Sequence, residues 1–308
     1  MRVAVVTEAF ADTPLEDVLA ALAQRAPTVT GLELATGGYP PTTHCDRSAL
    51  LRDDRARARY LRDVESRGFR IAALNAWGNP LHPDESVARR HDRELRETIL
   101  LAAALGVDRV LALAGCPGDA GRARFAAGGW LPYLEGEHDR QWRDAGEPYW
   151  RDVSAFAARE HPNVTICIEL HPGTLVYNAA TFEELALCGR NLAANVDPSH
   201  FFWMGMDPVA VTSRLSRVGY AHLKDVVFDD ESLALNGLLD HRWPHEDASW
   251  RFATVGHGRD AAWWRRFVDV LADRGVADVA IEHEDPLVLA IDGIAEAASI
   301  LAPTGAPV

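Results

Sequence analysis

Eight short apolar segments alternate along the chain with longer stretches whose apolar residues recur at helical spacing. Short apolar runs that are each followed by an amphipathic stretch are typical of parallel β-strands joined by helices. The predicted strands lie at 2–8, 29–35, 69–76, 108–115, 164–170, 192–198, 219–225 and 278–284. Eight strand–helix units within 308 residues favour an α/β fold with a closed (β/α)8 TIM barrel.

The helical pattern and the chain ends set the expected boundaries of this barrel. A first helix begins at Thr13–Pro14, and further helices are predicted at about 46–67, 84–105, 181–189, 207–217, 260–274 and 287–301. A doubly wound open sheet is the alternative, but the first β–α turn lacks the G-x-G-x-x-G phosphate loop. We therefore predict a single barrel domain over 1–302 and a frayed tail over 303–308.

Two segments are too long to be simple connections between a strand and a helix. They follow the fourth and the seventh predicted strand, at 116–150 and at 226–259. Loops of this length in a compact domain usually cover a binding site. Because both follow strands, we expect them at the C-terminal face of the barrel, where barrel enzymes keep their active sites.

Composition and charge narrow the class of partner. The chain is 48% hydrophobic and carries a formal net charge of −14, which argues against binding a nucleic-acid backbone. The four cysteines form no C-x-x-C pair and are interpreted as reduced thiols. No signal-like or membrane-spanning apolar run occurs, so we expect a cytoplasmic protein without membrane contact.

Charged and polar residues stand where the last four predicted strands end. Residues at i and i+2 of a strand point to the same face. Four such pairs occur at these strand ends: Glu169 with His171, Asp197 with Ser199, His222 with Lys224, and Glu282 with Glu284. In a barrel these ends meet at one mouth, so three carboxylates and an imidazole are expected to lie close together.

A divalent cation would resolve the cost of burying these groups. Unpaired buried charges are costly or take up protons, whereas a metal ion uses carboxylate oxygens and an imidazole nitrogen as ligands. The predicted metal ligands are Glu169, Asp197, His222 and Glu282, with Glu284 or Asp285 as alternatives to the last of these. Oxygen and nitrogen ligands without thiolate suit Mn²⁺ best, and Mg²⁺, Co²⁺ or Zn²⁺ are also possible.

Two further residues near these strand ends are predicted to contact the substrate. His200 follows Asp197 by three residues, so it could reach a substrate oxygen or support the metal from outside its ligand set, although a structural cap is an equal alternative. Lys224 is the single lysine among 31 basic residues and shares a face with His222. Its ammonium could stabilise a developing oxyanion, or could simply pair with an acid.

The residues at these strand ends carry a family resemblance. The strings "IELHP", "DPSH", "HLKD", "VGHGRDAAWW" and "IEHEDP" resemble the xylose isomerase-like barrel superfamily of sugar isomerases and epimerases. The resemblance implies a barrel, a metal held by the Glu–Asp–His–Glu set at Glu169, Asp197, His222 and Glu282, and a substrate-contacting histidine at His200.

A narrower resemblance concerns the large subunit of bacterial C-glycoside deglycosidases. The strings "ALNAWGNPLHP", "LAGCPG", "HPGTLVYN", "NGLLD" and "WRFATVGHG" are similar to that group. It implies a 3-keto sugar substrate, an aromatic aglycone and a small partner subunit. Asn75 and Trp77 in the first string and Trp130 in the first long loop are predicted to bind substrate, and a homo-oligomer is expected.

The implied reaction begins with removal of a proton beside a carbonyl. The metal would chelate the carbonyl and a neighbouring hydroxyl and stabilise the enediolate. Glu169 and Glu282 are the predicted proton carriers, with His171 as an alternative base. Proton return gives isomerisation or epimerisation, and loss of a substituent gives dehydration or C-glycoside cleavage.

Two other classes remain as alternatives. A sugar-binding barrel without turnover is disfavoured by the complete ligand set. An abasic-site endonuclease would need further early-strand histidines and affinity for DNA, and the net charge disfavours it.

Overall fold

Ten strands and twelve α-helices are formed by the residues that this computed structural model describes, which are 1–118, 136–240, 242 and 247–302. The strands are β1 (Arg2–Val6), β2 (Val29–Gly38), β3 (Arg70–Trp77), β4 (Arg109–Leu113), β5 (Thr165–Glu169), β6 (Leu192–Val196), β7 (Val218–Leu223), β8 (Asp225–Phe228), β9 (Trp250–Ala253) and β10 (Asp278–Ile281). All except β8 and β9 form a closed parallel ring in the order β1-β10-β7-β6-β5-β4-β3-β2. The predicted (β/α)8 barrel is confirmed.

Helices follow the barrel strands along the chain. They are α1 (Leu15–Arg25), α2 (Arg47–Arg52), α3 (Asp54–Glu65), α4 (Glu85–Leu105), α5 (Glu137–Gln141), α6 (Glu147–Glu160), α7 (Ala179–Ala186), α8 (Pro198–Trp203), α9 (Pro208–Arg214), α10 (Asp230–Asn236), α11 (Ala261–Asp273) and α12 (Ala290–Leu301). Among the described residues, no helix has the length and the apolar character that a bilayer span requires. The predicted tail at 303–308 lies outside the described residues.

Alternate residues of the barrel strands belong to two separate apolar clusters. Ile166 and Ile168 of β5 belong to the larger cluster, together with helix residues such as Leu95 and Phe182. Cys167 between them belongs to the smaller cluster. That cluster fills the barrel with mostly small side chains: Ala4, Val6, Ala72, Ala73, Leu111, Cys167, Ala193, Tyr220 and Ala280. This alternation decides which residues at the strand ends point into the mouth.

The single helix predicted at about 46–67 is two helices, α2 and α3. Asp53 has extended backbone angles, and its carboxylate accepts hydrogen bonds from the N–H groups of Arg55 and Ala56. It therefore caps α3 and breaks the helix. The first helix, predicted to begin at Thr13–Pro14, begins at Leu15, and Pro14 precedes it without a side-chain capping bond.

Both long segments contain regular structure near the barrel mouth. In the first, helical residues begin at Glu137, so the predicted loop does not extend through 150. In the second, β8 and β9 pair as an antiparallel ribbon that carries Phe252. The ring of Phe252 lies 4.4 Å from the Lys224 Nζ atom, so this ribbon forms a wall of the mouth.

Candidate metal centre and active site

Polar side chains continue the inner face of the barrel strands at their C-terminal ends. Glu169, His222 and Glu282 each stand two residues after an inner-facing residue, and Asp197 stands four residues after one. Inside the barrel this face carries small apolar residues, and at the mouth it carries titratable groups. The alternation of the strands therefore directs all four side chains toward one point.

The four predicted metal ligands form a compact buried cluster. One potential ligand atom of each residue lies within 4.8 Å of the others: Glu169, Asp197, His222 and Glu282. None of these residues is more than 8% exposed. His222 Nδ1 lies 3.4 Å from a Glu282 oxygen and 3.8 Å from a Glu169 oxygen, and the Asn195 amide is 3.0 Å away.

Asp197 shows why this cluster fits a cation. Its Oδ1 atom caps α8 by accepting a hydrogen bond from the Ser199 N–H. Its Oδ2 atom is buried and makes no hydrogen bond to any described residue, although Lys224 Nζ lies 3.2 Å away. His200 Nε2 is a second ion-pair partner, at 3.4 Å. A carboxylate oxygen without a hydrogen bond, beside two further carboxylates and an imidazole, matches the oxygen and nitrogen donors that a divalent cation binds.

Lys224 is the only lysine in the chain. Its ammonium group lies inside this cluster. Its Nζ atom is 2.7 Å from a Glu282 oxygen and 3.0 Å from a Glu284 oxygen. Burial opposes the charged form, but Asp197 and the two glutamates outweigh it and raise the pKa of Lys224 well above its usual value. The lysine is therefore a fixed positive charge at the mouth.

The side chains of the cluster hold more negative charge than Lys224 balances. Burial raises the pKa of Glu282 well above its usual range, against the opposing effects of Lys224 and His222. Burial lowers the pKa of His222, but the carboxylates of Glu33 and Glu282 outweigh it and raise that pKa to about 10. Protons or a divalent cation must supply the missing positive charge.

A chain of hydrogen bonds from the early strands supports this cluster, and the prediction from sequence missed most of it. The fully buried Glu33 of β2 lies 3.0 Å from His222 Nε2. The Asn75 amide nitrogen donates to a Glu33 oxygen and to a Glu8 oxygen, both at 2.9 Å. Asn75 is itself completely buried, so these bonds position its carboxylate neighbours. Its predicted contact with substrate stays a prediction.

His171 and His200 lie together at one side of the cluster. The His200 Nε2 atom is 3.0 Å from a Glu169 oxygen, and the two imidazole rings are 4.4 Å apart. The two histidines and Glu169 also form a second group of potential ligands. Burial and the neighbouring His200 lower the pKa of His171 to about 4, so its imidazole is neutral in neutral solution.

A cavity of about 390 Å³ opens directly above these residues. Acidic, apolar and aromatic side chains all contribute to its wall. Its lining includes Glu8, Tyr39, Pro40, Pro41, Trp77, Leu113, Glu169, His171, His200, Lys224, Phe252, Glu282 and Glu284. The Trp77 ring lies 5.3 Å from the His222 ring. Trp130, predicted to bind substrate, lies outside the described residues.

Several known proteins are similar to this chain in sequence or in structure. An uncharacterized protein of Bacillus subtilis (strain 168), YfiH, is 33% identical over 298 residues, which cover 92% of this chain and 93% of that one. The probable 3-DHS dehydratase AsbF of Bacillus anthracis superposes with a TM-score of 0.66 at 16% identity and 98% coverage of both chains. The 3-keto-D-glucoside 4-epimerase YcjR of E. coli superposes with a TM-score of 0.61 at 10% identity, covering 98% of this chain and 97% of that one.

At these low identities the solved structures establish the fold alone. The family described as xylose isomerase-like TIM barrel matches residues 21–302, which is most of the chain. The match includes all four clustered residues as well as Glu33 and Asn75. The chain therefore belongs to the xylose isomerase-like TIM barrel family.

Proposed function

We propose that this protein is a divalent-metal-dependent enzyme that isomerises or epimerises a keto sugar by moving a proton beside its carbonyl group. The observation that carries the proposal is the buried cluster of Glu169, Asp197, His222 and Glu282 at the C-terminal mouth of the barrel. The family and the epimerase among the similar structures support the same reaction class.

The metal ligands in this proposal are the same four residues. Their oxygen and nitrogen donors favour Mn²⁺, with Mg²⁺, Co²⁺ and Zn²⁺ as alternatives. When bound, the cation would polarise the substrate carbonyl and neutralise the negative charge that develops on its oxygen. Lys224 adds a second, fixed positive charge 3.2 Å from Asp197, on the same side of the cavity.

Glu169 is the first candidate to take the proton from carbon. Burial alone would favour its neutral form, but the hydrogen bond from His200 and the charge of His222 lower its pKa, so it is ionised. Glu282 reaches the mouth from β10, three strands around the ring from β5, and could return a proton from another side. His171, neutral and adjacent to Glu169, is the alternative base.

The shape of the cavity supports elimination as a second candidate. Tyr39, Pro40, Pro41 and Trp77 give part of the cavity an apolar lining, which suits a flat apolar substituent on the sugar. After the proton is removed, departure of that substituent with a proton delivered to its leaving carbon would give C-glycoside cleavage, and departure of a protonated hydroxyl group as water would give dehydration. The dehydratase among the similar structures and the 3-keto-glucoside substrate of the epimerase support this second candidate.

The test combines metal content with turnover. Metal content is measured by mass spectrometry, and turnover is assayed on free ketoses, inososes and 3-keto C- and O-glycosides. We expect one cation per chain, activity that chelation abolishes, and loss of activity in Glu169→Gln and Glu282→Gln. The matched control is Glu16→Gln, whose side chain is 70% exposed on α1. Full turnover in both active-site variants would contradict the proposal, and a requirement for a second polypeptide would favour C-glycoside cleavage.

A further inference from the structure

A carboxyl group that no expected ligand set includes lines the same cavity from the opposite side of the barrel. Glu8 lies in the short 3-10 turn Thr7–Phe10 that follows β1. In the closed ring, β1 is four strands away from β5 in either direction. Glu8, which follows β1, and Glu169, which ends β5, therefore stand at diametrically opposed strands, and both line the cavity.

Only one oxygen of this carboxyl group is used within the protein. Glu8 Oε1 accepts a hydrogen bond of 2.9 Å from the Asn75 amide, whose other bond goes to Glu33. Glu8 Oε2 makes no hydrogen bond or ion pair with any residue in the described ranges. The amide thus fixes the orientation of the carboxyl group and leaves its second oxygen available at the cavity wall.

We propose that Glu8 is a further substrate-binding residue, which donates a hydrogen bond from Oε2 to a hydroxyl or carbonyl oxygen on the side of the sugar that faces away from Glu169. This inference rests on the proposed function, because it takes the cavity to be the sugar site. The hydrogen bond from Glu8 requires a neutral sugar oxygen as its acceptor. The acidic groups around Glu8 disfavour a phosphorylated or carboxylated group at that position.

The surroundings of Glu8 are those of a carboxylic acid that keeps its proton. Burial raises the pKa of Glu8 to about 8, against the opposing hydrogen bond from Asn75, and the nearby Glu33 carboxylate adds to the increase. A neutral carboxyl group accepts at one oxygen and donates at the other. Asn75 occupies the accepting oxygen, so the donating one is left for a ligand.

A glutamine at position 8 reproduces this arrangement in nearly the same shape. Its carbonyl oxygen can accept from Asn75, and its amide nitrogen can donate into the cavity. Alanine removes both groups. We expect Glu8→Ala to weaken sugar binding and kcat/KM by roughly tenfold, the effect of one lost hydrogen bond with an unpaired partner, and Glu8→Gln to lose clearly less. Glu16→Gln serves as the exposed control.

The experiment measures metal content, sugar binding by calorimetry on the Mn²⁺-loaded protein, and turnover for each variant, with free ketoses and 3-keto-glucosides as the probes. Weakened sugar binding in Glu8→Ala at unchanged metal content supports the inference. Unchanged sugar binding in Glu8→Ala overturns the inference. An equal loss of sugar affinity in Glu8→Gln and Glu8→Ala also overturns it, as does a loss of bound metal that parallels the loss of sugar affinity. A sugar that binds wild type without turnover overturns the proposed reaction, and the binding series still decides the role of Glu8. If no probe binds wild type, both fail.

Discussion

Replacement of Glu33 by glutamine tests how the early strands support the metal centre. Glu33 is fully buried on β2, and its carboxylate lies 3.0 Å from the Nε2 atom of His222. If Nε2 carries a proton and donates it to Glu33, then Nδ1 is the nitrogen available to a metal. A carboxylate in this position fixes the tautomer and increases the basicity of the imidazole.

The size of the effect follows from the change in that one hydrogen bond. A bond to a charged group contributes about 1.5–3 kcal/mol, and a bond between neutral groups contributes about 0.5–1.5 kcal/mol. Glu33→Gln keeps an acceptor oxygen but removes the charge, so the metal-bound form loses about 1–1.5 kcal/mol. Since about 1.4 kcal/mol is tenfold in a dissociation constant, we expect the Mn²⁺ dissociation constant, corrected for the proton that His222 releases, to be about five- to tenfold larger.

Calorimetric titration of the metal-free protein with Mn²⁺ measures this constant directly. Glu16→Gln is the control, because it makes the same chemical change on the exposed face of α1. Nitrogen NMR of the His222 ring provides a second readout that a purely structural role would leave unchanged. A dissociation constant within about twofold of wild type, with an unchanged tautomer, would refute the role of Glu33.

Three further outcomes follow from the same structure. Lys224→Met removes the ammonium group beside Asp197 and Glu282. We expect this variant to lower the Tm of metal-free protein more than the Tm of Mn²⁺-loaded protein, because the cation replaces the lost positive charge. An equal or smaller loss of Tm in the metal-free protein would count against this. One carboxylate oxygen of Asp225 accepts hydrogen bonds from Gly256, Gly258, Arg259 and Trp264. We expect Asp225→Asn to lower the free energy of unfolding in urea by about 2–4 kcal/mol. An unshifted urea midpoint would show that these bonds contribute little to stability. The affinity for Mn²⁺ should rise between about pH 6 and about pH 9. The pKa of His222 is raised to about 10, so in this range the cation must displace a proton from the imidazole. An affinity that does not change with pH would contradict this assignment.

The late strands could be interpreted from sequence because their pattern is simple. In β5, β6, β7 and β10 an apolar run ends in a charged residue on the inner face, and the rule that residues i and i+2 share a face brings these residues to one mouth. Nothing beyond strand periodicity and the convergence of a barrel was needed to bring Glu169, Asp197, His222 and Glu282 together.

The early strands carry a weaker signal of their role at the site. Glu33 stands between Leu32 and Leu34 inside an apolar run, a pattern that is typical of an ordinary buried strand. A carboxylate that is fully buried must find a partner, and its inner-facing position two residues after Gly31 would have directed it toward the same mouth. Glu8 gave less indication still, because it follows β1 in a 3-10 turn to which strand periodicity does not apply.

Long-range pairing explains the elements that were not predicted. The ribbon of β8 and β9 joins segments more than twenty residues apart, and neither is long enough to be identified alone. The π-helical turn Trp142–Gly146 links α5 to α6 in a segment rich in glycine and tryptophan, a composition that favours a loop. Its helical state depends on packing, since Trp142 and Trp150 are both buried against the barrel cluster.

A crystal of the Mn²⁺-loaded protein, measured with anomalous scattering, tests the central claim most directly. The account predicts one anomalous peak per chain, within about 2.0–2.4 Å of ligand atoms from Glu169, Asp197, His222 and Glu282. A strong peak elsewhere, or metal-loaded crystals without density between these four side chains, would contradict it.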